Sequence, residues 1–244
     1  MNGRCGKEKK MTLDIKRHRS VFNPDIFHMP ISVIGCGGMG SRVAEGLVRM
    51  GLGQEGKNPI SLYDHDSFAM HNLTNQWVSI PHLLKMKVKA VRSQMLEINP
   101  QADVIDRPHE VRGEIPLEGV VFICVDSMDA RRVIVDEVME DRSRVKCIIE
   151  TRMDAGVGIS HCFDPNDASQ LACWRMYWYS DDEADNMQGC GGAQSIISAI
   201  YATTALALKQ LEHFAVKKST KKMQNRVYQD FDECLLRSEQ WPSA

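Results

Sequence analysis

The sequence predicts an α/β fold: a doubly wound, mainly parallel sheet with a Rossmann-like nucleotide-binding half and a C-terminal extension of the sheet. Two observations support this class. Between residue 31 and about residue 150, short apolar runs alternate with segments whose hydrophobic residues recur at helical spacing. A glycine-rich turn at residues 35–40 joins the first apolar run to the first helical segment, as nucleotide-binding α/β domains require.

Each element is predicted from a local pattern of apolar residues and from the residues that interrupt it. The predicted strands cover residues 31–34, 59–63, 102–105, 120–125, 145–150, 156–163 and 226–231. The predicted helices cover residues 41–50, 83–98, 129–139 and 194–211, and residues 168–187 form a long polar and aromatic connection. We expect a basic N-terminal arm (1–29), a nucleotide-binding domain (30–165), and a crossover loop, long helix and C-terminal strand of that same domain (166–244).

Composition narrows the classes of partner. The 244 residues are 43% hydrophobic and 25% charged, which is typical of a globular domain. A formal net charge of −2 makes nucleic acid an unlikely partner, and the longest apolar stretch (195–208) is too short for a membrane span. The eight cysteines are scattered and no secretory signal is visible, so a reducing, cytoplasmic location is expected.

The glycine-rich turn is the first chemical signal. Gly35, Gly37 and Gly40 form a GxGxxG pattern that follows a strand and opens a helix, so backbone N–H groups can approach a phosphate. Asp64 ends the second strand, 24 residues after Gly40, where a carboxylate can accept hydrogen bonds from ribose hydroxyls. The alternative is a turn needed only for packing the helix against the strand. Nucleotide binding is the favoured interpretation.

Four further polar residues follow at places that suit nucleotide chemistry. Asn72 and Gln76 belong to a polar loop after the second strand, and Lys87 comes early in a helix. Asp126 follows the fourth strand, at the edge of the sheet where ligands bind. A lysine can neutralise phosphate charge, and an aspartate can hold a divalent metal. Taken alone, Lys87 could lie on a solvated helix face, and Asp126 could be a helix N-cap.

Together these motifs resemble the ThiF/MoeB/HesA family of ubiquitin-activating-enzyme-like adenylyltransferases, especially its minimal bacterial or phage-type members. The order and spacing agree from residue 31 to about residue 150, and the combination is far more specific than any one motif. The segments that match are Gly35 to Ser41, Asp64-His65-Asp66, Asn72 to Gln76, Lys87 to Pro100, and Cys124-Val125-Asp126.

The resemblance implies an ATP-dependent enzyme that adenylates a carboxylate, with ATP and Mg²⁺ as cofactors. The substrate it implies is the Gly-Gly C-terminus of a small ubiquitin-like or sulfur-carrier protein. It implies that Gly37, Gly38 and Gly40 line the phosphates, that Asp64 binds the ribose, that Asn72, Gln76 and Lys87 bind the phosphate chain, and that Asp126 holds Mg²⁺. Lys87 and Asp126 are thus expected to be catalytic. We also expect Gly35, Asp66 and Arg49 to bind the nucleotide and Cys190 to be catalytic.

Two departures from the family pattern concern the residues of the site and of a structural zinc. Asn75 stands where many members carry an arginine, so Arg49, Arg42 or an arginine of the N-terminal arm (Arg17, Arg19) is expected to compensate. Family members often supply such an arginine across a dimer, which implies a homodimer. The two CxxC pairs of the zinc-binding members are missing, so no structural zinc is expected.

Cys190 is the best candidate for a nucleophile. It lies among glycines at the start of the long predicted helix, where the helix field lowers a thiol pKa. A thiolate there could take the acyl group from the adenylate as a thioester. The alternative is an incidental thiol near a helix cap, and Cys173 is a second candidate. The histidines His65, His71 and His161 are expected to be structural or surface groups.

Three other functions stay open. The first is an NAD(P)-binding oxidoreductase, because the glycine turn alone also suits that cofactor. The second is a catalytically inactive ThiF-like partner protein, which the replacement at Asn75 would permit. The third is adenylation of a carboxylate on modified tRNA, to which the basic stretch at residues 217–222 could contribute.

Overall fold

Eight strands form a single sheet in the computed structural model, which describes residues 13–111, 115–140, 144–154, 156–183 and 196–243. The strands are β1 (Ile31–Ile34), β2 (Ile60–Tyr63), β3 (Val104–Arg107), β4 (Gly119–Ile123), β5 (Val145–Met153), β6 (Val157–Phe163), β7 (Arg226–Asp230) and β8 (Leu235–Glu239). The helices are α1 (Gly38–Arg49), α2 (Lys87–Ile98), α3 (Met128–Glu140), α4 (Ala168–Met176) and α5 (Ile197–Lys217). Short 3-10 helices lie at Pro24–Ile26, Met70–Thr74 and Ile80–His82.

The strand order is β3-β2-β1-β4-β5-β6-β7-β8. Strands β1 to β5 pair in parallel, and β5 to β8 pair in antiparallel fashion. The chain therefore winds outward from β1 in one direction and, after β3, from β4 in the other. The crevice at the carboxyl ends of β1 and β4 is the point where such folds bind ligands. The predicted fold class, including the C-terminal extension of the sheet, is confirmed.

Helices cover both faces of the sheet because the central strands are buried on both sides. Alternate residues of β1 and β4 enter two separate hydrophobic clusters, as the two-residue period of a strand dictates. One cluster takes the apolar residues of α1, α2 and α5, and the other takes those of α3 and α4. Every residue of β1 and β4 is buried. Two packed layers thus hold the crevice at a fixed edge of a rigid sheet.

Two elements were missed by the sequence reading. Helix α4 lies in the predicted connection; Asp167 caps it by accepting from Ser169 N at 3.0 Å, and Leu171 and Trp174 face the core. Nine residues are too few to establish a helical period. Strand β8 is an edge strand whose side chains are mostly exposed, so it lacks the alternation that predicts a strand.

Two helix boundaries also differ from prediction. Helix α2 begins at Lys87 rather than near Leu83, because a 3-10 helix precedes it and Leu84 has a φ of +64°. Helix α5 continues to Lys217, where Lys218 in the left-handed region ends it.

The described part of the N-terminal arm packs against the sheet domain, with Phe22 and Phe27 buried in the first hydrophobic cluster. Its contacts lie at the far end of α1, where His18 Nε2 is 3.4 Å from Met50 O. Within the described residues, no helix has both the length and the apolar character needed to cross a membrane. The three-part division of the chain stays a prediction.

Candidate functional site

The glycine turn lies at the carboxyl end of β1 and borders β4. Gly35 has a φ of +85°, and a Cβ there would lie 2.9 Å from the carbonyl carbon of Cys124. A Cβ on Gly40 would lie 1.7 Å from Gly35 O, so the first turn of α1 closes onto the loop only with glycine at both positions. Gly37 is the N-cap residue of α1 and makes no side-chain cap. The N-terminal N–H groups of α1 are thus available to an anion.

Asp64 joins the glycine turn to the end of β2. Its Oδ2 accepts from the backbone N–H of Cys36 at 2.7 Å, and its Oδ1 accepts from the N–H of Asp66 at 2.8 Å. An ionised carboxylate can accept about four hydrogen bonds, so Asp64 keeps capacity for ribose hydroxyls while it shapes the turn. The structure therefore places Asp64 where the GxGxxG pattern predicts an acid.

Lys87 faces these two acids. It is the first residue of α2, and its Nζ donates to Asp66 Oδ2 at 2.8 Å and lies 4.0 Å from Asp64 Oδ2. The hydrogen bond from Lys87 lowers the pKa of Asp66. Only 12% of the Lys87 side chain is exposed, whereas Lys85 and Lys89 are exposed residues. The Lys87 side chain is therefore not on a solvated helix face, whereas Lys89 is exposed on α2 and Lys85 is exposed just before it.

The polar loop after β2 lies over the start of α1. Trp77 N donates to Ser41 Oγ at 3.1 Å, and a Cβ on Gly37 would lie 3.8 Å from Gln76 Nε2. Gln76 Oε1 is buried and has no hydrogen-bond partner among the residues that the structure describes, so this amide retains bonding capacity beside the glycine turn. Asn72 is buried, and its Oδ1 accepts from Ala69 N at 2.9 Å. Asn72 therefore shapes the loop that delivers Gln76.

Asp126 lies on the β4 side of the crevice and is exposed. The glycine turn approaches this segment closely, since a Cβ on Gly35 would lie 3.0 Å from Val125 N. Asp126 Oδ1 accepts from Ser127 N at 3.0 Å. The N-cap of α3 is Ser127, whose Oγ accepts from Ala130 N at 3.0 Å. The cap that could have explained Asp126 is therefore provided by its neighbour.

Two groups bear on metal and thiol chemistry at this edge. Among the described residues, Asp64, His65 and Asp66 have ligand atoms within 4.8 Å of one another, which is close enough to share a cation. Burial raises the pKa of the Cys36 thiol, helped by the charge of Asp64, and burial raises the pKa of Cys124 to about 11. Both thiols beside the crevice are thus protonated at neutral pH and are poor nucleophiles.

Three of the arginines named as replacements at Asn75, Arg19, Arg42 and Arg49, are paired with carboxylates of their own chain. Arg49 is in the last turn of α1, about 16 Å along the helix axis from Gly38, and its Nε pairs with Glu45 at 3.0 Å. Arg19 pairs with Asp25 at 2.7 Å on the arm at that same far end. Arg42 lies closer to the turn, but its guanidinium pairs with Glu45 and stacks on Tyr201 at 4.9 Å.

A buried ionic cluster lies on β5 at Glu150, the residue that pairs with Ile123 at the end of β4. The sequence patterns did not predict this cluster. Glu150 accepts from Arg131 Nη1, from Arg152 Nε at 2.8 Å and from His161 Nδ1 at 2.6 Å. Burial alone would raise the pKa of Glu150, but the charges of Arg152 and Arg131 outweigh it and hold that pKa well below its usual range. His161 is a structural group, as expected, although it is part of this cluster rather than isolated.

Arg131 connects this cluster to the Asp126 segment. Its guanidinium donates to Val125 O and to Thr151 O, in addition to Glu150. A lone arginine in a helical pattern gives no sequence signal for such a role, because its partners lie in the segment after β4 and on β5. The available signal was the occurrence of two charged residues, Glu150 and Arg152, in and beside an apolar run, because charged side chains are rarely buried without partners.

The two candidate cysteines and the two remaining histidines lie apart from the buried cluster or outside the described residues. Cys190 lies outside the described residues. Cys173 is on α4 and packs partly buried against the second hydrophobic cluster. His65 lies 3.5 Å from Asp66 with most of its side chain exposed, and His71 is exposed in the polar loop.

Comparison with known proteins gives matches over most of the chain. The model of the ThiF family matches residues 14–240. Ubiquitin-like modifier-activating enzyme 5 of Branchiostoma floridae is 29% identical over 163 residues, which cover 59% of this chain and 38% of that protein. This chain thus spans well under half the length of that relative.

Solved structures of MccB share the fold. Escherichia coli MccB with ATP superposes with a TM-score of 0.70 at 17% identity, covering 89% of this chain and 65% of that one. The Microcin C7 biosynthetic enzyme MccB in complex with N-formylated MccA gives a TM-score of 0.72 at 16% identity, covering 91% and 67%. At these identities the likeness establishes the fold alone. The match of the family model over residues 14–240, together with this fold and the arrangement of its motifs, shows that the chain belongs to the ThiF family.

Proposed function

We propose that this protein is an ATP-dependent adenylyltransferase that activates a carboxylate as its acyl-adenylate. The observation that supports it most is the convergence of opposite charges on the glycine turn. Lys87 Nζ lies 4.0 Å from Asp64 Oδ2, and that same oxygen accepts from the N–H of Cys36 in the turn. A cation, a ribose-binding acid and a phosphate-binding turn thus lie at one edge of the sheet.

The lysine favours a triphosphate over a dinucleotide. The N-terminus of α1 suits the pyrophosphate of either ligand. A buried ammonium group beside it suits a reaction in which pyrophosphate leaves with additional negative charge. A protein of the same fold, Escherichia coli MccB, has been solved with ATP. These points support ATP as the nucleotide ahead of NAD(P).

Magnesium fits the residues on the β4 side of the crevice. Asp126 is an exposed carboxylate whose Oδ1 is shared only with its neighbour Ser127 N among the contacts of the described residues. Carboxylate oxygen is the ligand that Mg²⁺ prefers, usually one or two per site with water and phosphate completing the shell. Bound there, Mg²⁺ would neutralise charge on the phosphate oxygens. Asp126 is therefore proposed as its ligand.

The proposed reaction is an in-line displacement at the α-phosphorus of ATP. An oxygen of the substrate carboxylate forms the new bond to phosphorus, the bond to the bridging oxygen breaks, and pyrophosphate leaves with that electron pair. The N–H groups of the glycine turn and Lys87 hold the phosphates, Gln76 adds hydrogen bonds, and Asp64 orients the ribose. Catalysis in this scheme is positioning and charge neutralisation, with no proton transfer required.

The proposed substrate is the C-terminus of a small ubiquitin-like or sulfur-carrier protein ending in Gly-Gly. A relative in this family is named as a ubiquitin-like modifier-activating enzyme, and MccB has been solved in complex with MccA. A homodimer is proposed because Arg19, Arg42 and Arg49 are each paired with a carboxylate of their own chain. An arginine from a second copy would then replace the one missing at Asn75.

The proposed reaction continues with transfer of the acyl group to Cys190. The thiolate would attack the acyl carbon and AMP would leave, which gives a thioester without a further co-reactant. Replacing Cys190 by Ala should leave adenylation intact and abolish any thiol-sensitive conjugate with the carrier. A conjugate that persists in this variant would exclude Cys190 as its site.

The test of adenylation is isotope exchange between pyrophosphate and ATP. Labelled pyrophosphate should enter ATP only when the protein, Mg²⁺ and a carrier with a free Gly-Gly C-terminus are present. A carrier lacking its last two residues is the matched control, and modified tRNA is a separate arm. Binding of ATP without exchange in any arm would point to an inactive ThiF-like partner, and retention of NADH in place of ATP would point to an oxidoreductase.

A further inference from the structure

The segment that ends at Asp181 contacts the turn that carries Asp126. Asp181 is about 54 residues further along the chain, yet its Oδ2 accepts from Ser127 Oγ at 2.7 Å and its Oδ1 accepts from Met128 N at 2.5 Å. Trp178 in the same segment donates from Nε1 to Met128 O at 2.9 Å. We call residues 178–181 the docking segment.

The opposite side of this turn is held by Arg131. Its guanidinium donates to Val125 O, and its backbone N–H donates to Ser127 O at 3.3 Å. Arg131 is itself fixed by Glu150, and both side chains are almost fully buried. The turn is therefore anchored to the sheet from within, while the docking segment holds it from outside. Asp126 lies between these two anchors.

Asp181 is ionised in this arrangement. Burial alone would disfavour its charge, but hydrogen bonds from Ser127 and from the backbone N–H groups of Met128 and Asp129 lower the pKa of Asp181. The start of α3 also favours a carboxylate there. The contact therefore persists through the neutral range of pH, and it is a charged hydrogen-bond pair rather than an incidental surface contact.

From these contacts we infer that Asp181 is a positioning residue for Asp126: by binding Ser127 and the first N–H of α3, it fixes the turn in the conformation that holds the metal. This inference rests on the proposed function, in which Asp126 is the Mg²⁺ ligand. The role assigned to Asp181 is on the turn and not on the metal, because both of its oxygens accept hydrogen bonds at the start of α3. The docking segment is thus part of the support of the catalytic site.

If Asp181 holds the turn, the affinity for metal at Asp126 depends on a residue that is remote from it in sequence. Removing a residue that orients a metal ligand typically weakens metal binding or activity by about 10- to 100-fold. We expect Asp181→Ala to reduce Mn²⁺ affinity by about tenfold in the presence of a nonhydrolysable ATP analogue, and Asp181→Asn to reduce it less, since the amide oxygen can still accept from Met128 N. Affinity for the nucleotide without metal should not change.

The experiment is a titration of the full chain with Mn²⁺ followed by the electron paramagnetic resonance signal of the free ion, with the ATP analogue bound. Asp182→Ala is the matched control, because Asp182 is an exposed acid adjacent to Asp181. Trp178→Phe removes the hydrogen bond to Met128 O and retains an aromatic ring, so it should give a smaller loss of Mn²⁺ affinity. Thermal unfolding of each variant shows whether it is folded.

The outcomes separate this inference from the proposed function. A tenfold loss in Asp181→Ala with an unchanged Asp182→Ala supports the positioning role. Equal Mn²⁺ affinity in Asp181→Ala and the wild type, even with a lowered melting temperature, would overturn it and leave adenylation standing. Failure of the wild type to bind Mn²⁺ with the analogue would instead remove the metal role of Asp126 itself. If Asp181→Ala does not fold, Ser127→Ala tests the same contact from the other partner.

Discussion

The parallel and antiparallel halves of the sheet treat their charged residues in opposite ways. At the ends of β1 and β2, Asp66 pairs with Lys87 while 53% of its side chain is exposed. At the end of β5, Glu150 and Arg131 pair with 0% and 3% of their side chains exposed. The first pair can exchange partners with a ligand that enters from solvent. The second pair cannot, because breaking it would leave a buried charge without compensation.

The presence of charged residues alone does not identify the reactive site. Both clusters are rich in acids and cations at the carboxyl edge of one sheet. Only the cluster near solvent is adjacent to the glycine turn and to N–H groups that are available for an anion. The buried cluster instead fixes the positions of α3 and β5, and through Arg131 it fixes the turn before Asp126. The parallel half therefore provides the proposed nucleotide site, and the antiparallel half holds the turn before Asp126 in place.

The largest effect is expected in the buried half. Glu150→Ala removes the acceptor shared by Arg131 and Arg152 and should lower the free energy of unfolding by about 3–5 kcal/mol. Urea unfolding measures this loss. Glu118→Ala is the control, because Glu118 pairs with Arg144 at 2.7 Å with about half of each side chain exposed, and its loss should stay below about 1 kcal/mol. Equal losses in the two variants would contradict the division between the halves.

The next effect is expected at the pair formed by Lys87 and Asp66, and it concerns activity. Lys87→Ala should slow pyrophosphate exchange by about a hundredfold, because one cation facing the leaving phosphates is lost. Its free energy of unfolding should change by about 1 kcal/mol or less, since the partner carboxylate of Asp66 remains solvated. Lys89→Ala, two residues away on an exposed position, should leave exchange unchanged. Equal rates in the two variants would sink the assignment of Lys87.

The smallest effect concerns pH. Burial lowers the pKa of His161 below its ordinary 6.5, so the unfolded chain takes up this proton first as pH falls. The folded state therefore loses stability below about pH 6.5, by at most about 1.4 kcal/mol per pH unit for one group. His161→Gln keeps a donor towards Glu150 but does not titrate. Its unfolding free energy should fall less steeply than that of the wild type between pH 6.5 and 5; parallel curves would contradict this.

Most of the parallel half was predictable from the sequence because its signals are local. Each of β1, β2 and β4 is a short apolar run. Gly35 and Asp64 follow β1 and β2 directly, and Asp126 lies three residues after the end of β4. A parallel sheet brings such positions to one edge whatever their separation in sequence. The start of α2 was less predictable, yet Lys87 was still identified from the order of motifs.

The antiparallel half and the supporting contacts were not predictable for the converse reason. The buried ionic cluster takes one residue from each of three elements: Arg131 from α3, Glu150 from β5 and His161 from β6. No periodic pattern in the sequence connects these three positions. Helix α4 is too short for a helical period, and β8 is joined to the sheet by backbone pairing with mostly exposed side chains. Asp181 was read as part of a polar connection, because an N-terminal contact to a helix 53 residues earlier leaves no mark in the local sequence.

The central claim is that the glycine turn, Asp64 and Lys87 form a site for ATP. Calorimetric titration of the wild type with ATP and Mg²⁺, in parallel with NADH, tests it most directly. ATP should bind saturably at one site per chain, and NADH should show no saturable binding. The affinity for ATP should be lower in Lys87→Ala and unchanged in Lys89→Ala. Saturable binding of NADH without binding of ATP, or ATP affinity that is indifferent to Lys87, would contradict it.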